Sequence, residues 1–149
     1  MAYPNSDLTI PFATVFTTFL LWFASLTPIR IAQSKQEEGY DNSRPREQYS
    51  RLPEWGKRAV AASNNTFEGL CFFSIAVFTY AFSQLSNIND NNNGKNKQVR
   101  IAADFFCIAF VILRVIYFPL YWYNLPSFRS FIWLLAILCV VGIFIISFV

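Results

Sequence analysis

From Phe131 to Val149 the chain reads FIWLLAILCVVGIFIISFV, a run without one charged residue. It meets the roughly 18-residue length at which an apolar stretch is long enough to cross a bilayer. Working outward from it, three more such runs are found. Leu8 to Ile31 carries no charge until Arg30. Ala59 to Phe82 and Ile101 to Tyr123 are apolar overall, and their only charged residues are Glu68 in the first and Asp104 and Arg114 in the second. Composition agrees: 14% of residues are charged and 54% hydrophobic, whereas a soluble domain carries about 25% charged residues. The spacing predicts an all-α integral membrane four-helix bundle, up-down-up-down. Its helices are expected over about 7–33, 57–84, 98–123 and 127–148, as a single domain over 1–149. The first run lacks a basic leader and a small-residue cleavage site and is too long for a signal-peptide core, so it reads as a retained helix.

Polar segments punctuate the spans. Ser6 and Asp7 suit the cap of the first helix, and Pro28 is expected to bend or loosen its far end. The linker over about 34–56 is rich in charge and carries Gly39, Pro45 and Pro53, so it reads as a loop, with a short interfacial turn near Tyr49 to Trp55. Ser83 to Gln98 is low in complexity and is expected to be a tip without chemistry. Asn124-Leu125-Pro126-Ser127 is a tight turn, with Pro126 stopping one helix and Ser127 capping the next.

Lysine and arginine are unevenly divided: seven from Arg30 to Arg58 plus Arg129 on one side, against Lys95, Lys97 and Arg100 on the other. The positive-inside rule then puts the first loop in the cytoplasm and both termini opposite. The net charge of +3 is therefore a topology signal and does not point to nucleic acid. No histidine is present, which removes the commonest metal ligand and the usual neutral-pH base; no metal site is expected. Cys71, Cys107 and Cys139 fall in separate spans with no CxxC and read as packing residues.

Ionisable residues inside a span are costly unless paired or facing a wet cavity. Counting the helical rise from either end places Glu68 and Arg114 at matching depth, and an ion pair between them is expected. Around it, Arg58, Asn65 and Glu68 lie along one face of the second helix, and Arg114, Tyr117 and Tyr121 along one face of the third. Arg129 joins Arg58 at the mouth of the polar cleft so formed. Each of these also has a plainer reading: the ion pair sets only helix register, and the tyrosines only pack. Asp104, one turn from Arg100, has a structural reading.

Arg58-Ala59, Asn65-Thr66-Phe67-Glu68, Arg114-Val115-Ile116-Tyr117 with Tyr121, and Arg129-Ser130 after a tight turn resemble the signature of the family of membrane-associated proteins in eicosanoid and glutathione metabolism (MAPEG). The stretch Trp55-Gly56-Lys57-Arg58-Ala59 is closest to bacterial-type members. The resemblance implies a homotrimer with glutathione held in an inter-subunit cleft open to the cytoplasm, in a bacterial inner membrane or the endoplasmic reticulum. Enzymatic members join the glutathione thiolate to a lipophilic electrophile, reduce a lipid hydroperoxide or isomerise an endoperoxide. By position, Arg58, Asn65, Glu68, Arg114, Tyr117 and Tyr121 would bind glutathione. Arg129 would stabilise the thiolate, and Ser130 matches a serine of the prostaglandin-forming branch. The chain departs from the pattern at Ala61, where eicosanoid-forming members carry an arginine, and at Ser63 and Asn64, where others carry basic or longer side chains. Two functions follow: a glutathione-dependent transferase or peroxidase, and a non-enzymatic lipid-binding or accessory subunit of a larger membrane complex.

Overall fold

The computed structural model describes the backbone of residues 8–86 and 93–148 and the side chains of 8–85 and 97–148. Its elements are α1 (Thr9–Ser34), a short 3₁₀ turn (Glu47–Arg51), α2 (Glu54–Ser86), α3 (Asn93–Trp122) and α4 (Pro126–Ser147). All four α-helices are long and apolar enough to cross a membrane, and no strand occurs among the described residues. At 1.5 Å per residue the shortest of them, α4, is about 33 Å long, sufficient for a hydrocarbon layer of about 30 Å. Ser6 and Asp7 lie outside the described residues; α1 starts after Leu8, without a side-chain cap.

Contacts near the helix ends fix the alternating directions. Phe12 near the start of α1 packs on Phe78 near the end of α2, ring centroids 5.7 Å apart, while Ser25 in the second half of α1 meets Ser63 early in α2 at 3.0 Å. Arg129 at the start of α4 lies over Tyr121 at the end of α3. A Cβ on Gly142, late in α4, would stand 2.9 Å from the ring of Phe106, early in α3. Small residues thus permit close helix approach, as expected where lipid offers no hydrophobic drive for helices to associate.

The interior is narrow. Phe73 and Phe110 stack at 4.1 Å and 11° between Ala76, Val77, Ala103, Cys107, Ala136 and Ile143, all buried. Cys107 and Cys139 are buried free thiols in this packing, while Cys71 is a free thiol on the exposed surface. Outside, Phe16, Phe23 and Phe105 are 61%, 62% and 66% exposed, an arrangement stable only where the surroundings are apolar.

Two local expectations are corrected. Helix α3 starts at Asn93 and α2 runs to Ser86, so part of the stretch expected as a loop over 83–98 is helical. The turn before α4 is made by Asn124 in a left-handed conformation (φ 54°), and Pro126 opens α4, with Leu125 as its cap residue. Ser127 is therefore inside the first turn, because the fixed φ of proline suits the first helical position. Helix α1 continues through Pro28 to Ser34. Beyond it the 35–53 loop is pinned by side-chain amides: Gln33 Nε2 donates to Pro45 O (2.6 Å) and Gln48 Nε2 to Gly39 O (2.8 Å).

Candidate functional site: a donor-lined cavity between α2, α3 and α4

The antiparallel pairing brings the first half of α2, the end of α3 and the start of α4 to one end of the bundle. There they enclose an open cavity of about 510 Å³ bordered by Asn65, Tyr117, Tyr121, Arg129, Ser130 and Trp133, with Leu134. Tyr117 and Tyr121, one turn apart on α3, meet edge to face at 5.1 Å and 66°. The Arg129 guanidinium lies 4.3 Å above the Tyr121 ring, a cation–π contact that holds a mobile side chain over the cavity. Ser130 Oγ donates to Pro126 O at 3.1 Å, so its hydroxyl proton is committed to its own helix.

Arg114 stands behind this lining. Only 1% of it is exposed, and its Nη1 donates to Asn65 Oδ1 at 2.9 Å. The guanidinium is flanked by the rings of Phe110 (5.0 Å) and Tyr117 (5.5 Å) and rests on the backbone of α2 at Gly69. Its Nε and Nη2 are buried and make no hydrogen bond. With its oxygen held by Arg114, the Asn65 amide directs its NH₂ group elsewhere, and the residue borders the cavity. An asparagine carries both a donor and an acceptor, and the bond from Arg114 occupies the acceptor.

The expected ion pair between Glu68 and Arg114 does not form. No contact within 4.0 Å joins them among the described residues, and Glu68 is exposed, although it remains near enough to interact electrostatically with Arg114. The reason is azimuth. Depth along the helix was matched, but Arg114 settles on the four-residue step from Asn65 to Gly69, which leaves Glu68 turned about 100° from Gly69 around α2. Arg58 is half-buried with its Nε unbonded, and it is not among the residues bordering the cavity. The expected constellation is thus divided. Asn65, Tyr117, Tyr121, Arg129 and Ser130 share the cavity, Arg114 supports it through Asn65, and Arg58 and Glu68 lie apart. Trp133 and Gly69 were missed; Trp133 lies four residues after Arg129, a spacing that signals a shared helix face.

The chemistry of the lining is lopsided. Asn65, the two tyrosines, Trp133 and Arg129 are all residues that carry hydrogen-bond donors, and among the described residues no carboxylate borders the cavity. Such a surface complements an anion. A model of the MAPEG family matches residues 10–149. The chain belongs to the MAPEG family. The match extends over nearly the whole protein and takes in all four helices. Neither the curated proteins nor the solved structures compared with it include a match. MAPEG membership covers glutathione transferases and peroxidases as well as other members, so the activity must be argued from the cavity.

Proposed function

We propose that this MAPEG protein is a membrane-bound glutathione-dependent transferase or peroxidase acting on a lipophilic electrophile. The observation that carries the reading is the cavity itself, bordered by donor-bearing residues, with Arg129 poised over Tyr121 and with no carboxylate among the described residues. Glutathione brings two carboxylates and a thiol. The carboxylates find N–H and O–H donors at Asn65, Tyr117 and Tyr121. A thiol with an ordinary pKa of about 8.5 is mostly protonated at neutral pH, and a guanidinium in a water-poor site favours its thiolate. Arg129 is assigned that role. Arg114 and Glu68 are assigned to orienting Asn65 and to the field around the site, and Arg58 to the approach from the cytoplasmic side. Ser130 stands beside Arg129 and can accept a hydrogen bond from the guest.

Trp133 and Leu134, exposed at the border of the cavity, suit a neighbouring copy in a homotrimer, so that each cavity is closed by the next subunit. The basic first loop is assigned to the cytoplasm. Catalysis proceeds by attack of the thiolate sulfur on the electrophilic carbon, with the leaving group or oxygen taking up a proton. The peroxidase alternative transfers oxygen from a lipid hydroperoxide to sulfur and needs a second thiol to complete the reduction.

One observation favours a second reading. Arg129 is the only cation bordering the cavity among the described residues, and Ala61, Ser63 and Asn64 add none. A weak hold on glutathione would fit a non-enzymatic lipid-binding or accessory subunit of a larger membrane complex. Calorimetric titration of glutathione into the detergent-purified protein separates the two. Saturable binding supports the enzyme, and absence of binding at millimolar glutathione refutes it.

A further inference from the structure

A second opening lies on the other side of α3. It is a groove of about 380 Å³ at the seam of α1, α2 and α3, bordered by Ala24, Ser25, Pro28, Ala62, Val115 and Pro119 among others, with no charged residue in its wall among the described residues. Its two prolines are placed in a telling way. Proline has no N–H and cannot bond the carbonyl four residues earlier. Pro28 therefore frees the carbonyl of Ala24, and Pro119 frees that of Val115. Ala24, Pro28, Val115 and Pro119 all border the groove, so both interruptions lie along it, one on α1 and one on α3.

A freed carbonyl inside a membrane needs a donor from a neighbouring helix, a hydroxyl side chain or a small molecule. The hydroxyl of Ser25, which borders the groove, is already engaged. Ser25 Oγ lies 2.5 Å from Trp22 O and 3.0 Å from Ser63 Oγ, so its single proton is taken up by these two acceptors. Ala24, Val115 and Pro119 are exposed on the outer surface, which gives the groove access to the surrounding lipid. Trp122, 55% exposed, also borders it and belongs at headgroup depth.

We propose that this groove is a binding site for a neutral amphiphile from the bilayer, with an apolar chain against the helix walls and a hydroxyl donating to the carbonyl of Ala24 or Val115. A carboxylate is disfavoured, because the groove offers it acceptors and no cation. An ether of the same chain fills the space but has no proton to give. The site is separated from the Arg129 cavity by α3 and does not rest on the glutathione reading.

The test uses the full-length protein in lipid nanodiscs with three photoactivatable probes of one chain length: a primary alcohol, its methyl ether and its carboxylic acid. Labelled peptides are located by mass spectrometry. The alcohol is expected to label α1 and α3 at the groove saturably and with about 3- to 10-fold higher affinity than the ether, the range for one neutral hydrogen bond. In Pro28→Ala/Pro119→Ala, where the helices regain their own N–H donors, that preference disappears while the ether still binds. In Ala24→Phe, a change at an exposed position that fills the groove, all three lose saturable labelling there. Equal affinity of alcohol and ether, absence of saturable labelling, or labelling unchanged by Ala24→Phe overturns the proposal. Groove contacts made instead by a second copy of the chain, or by water alone, give one of these outcomes.

Discussion

The guanidinium of Arg114 lies flat against Gly69: its Cζ stands 2.5 Å from the point that a Cβ on residue 69 would occupy, and its Nη2 closer still. No side chain but hydrogen fits there. The glycine lets the largest fully buried side chain of the bundle cross from α3 to α2 and reach Asn65. Gly69→Ala is therefore expected to lower stability by about 1–3 kcal/mol, the cost of overpacking a well-filled site. It should also release Asn65 from its bond. Thermal unfolding in detergent reads the first effect and glutathione titration the second; a variant with unaltered melting and binding would show that Arg114 repacks freely.

Asn65 separates support from recognition. Asn65→Asp retains an acceptor for Arg114 Nη1 but replaces the NH₂ donor of a residue that borders the cavity with a second carboxylate oxygen. Folding should survive, while affinity for an anionic guest falls by tenfold or more, on the order of 1.4 kcal/mol for a lost charge-assisted bond. Asn65→Ala should instead destabilise the fold, by about 1–3 kcal/mol, because it leaves Arg114 without its protein acceptor. Paired melting and binding curves for the two variants check this division.

Glu68→Gln is expected to change stability by less than about 1 kcal/mol, the range for exposed charges. A buried ion pair with Arg114 would give a loss of about 3–5 kcal/mol on removal of one partner. The contrast is large enough for thermal denaturation to decide.

Gly142→Leu should force α3 and α4 apart, since even a Cβ there meets the Phe106 ring at 2.9 Å. A loss of about 1–3 kcal/mol is expected, with earlier aggregation on heating. Unchanged unfolding would mean that the Phe106 ring simply turns aside.

The four spans were legible because charge is almost confined to the connections, and the residue types of the site were legible because polar groups in a span are rare enough to demand a reason. What was not legible is rotational. Rise per residue gave the depth of Glu68 and Arg114 correctly, but a long guanidinium chooses among neighbours 100° apart on the helix, and the absence of a side chain at Gly69 decided in favour of Asn65. The same limit applies at the turn before α4. Proline was read as a stop, yet with Asn124 already in the left-handed region it serves as the first residue of the next helix. Pro119 had a signal that depth and charge do not carry: a proline inside an apolar run frees a carbonyl one turn back, and its partner across the groove, Pro28, does the same.

The central claim is that Arg129 binds and activates a glutathione thiol in the cavity it shares with Tyr117, Tyr121 and Asn65. Arg129 is only half-buried and makes its cation–π contact at the cavity, so Arg129→Ala should fold and melt as the parent does. Glutathione is titrated into both proteins while the ultraviolet absorbance of the thiolate is followed at neutral pH. The account predicts saturable binding with a thiolate signal in the parent, and loss of that signal with weakened binding in Arg129→Ala. Binding with an equal thiolate signal in both proteins, or no binding in the parent at millimolar glutathione, would contradict it.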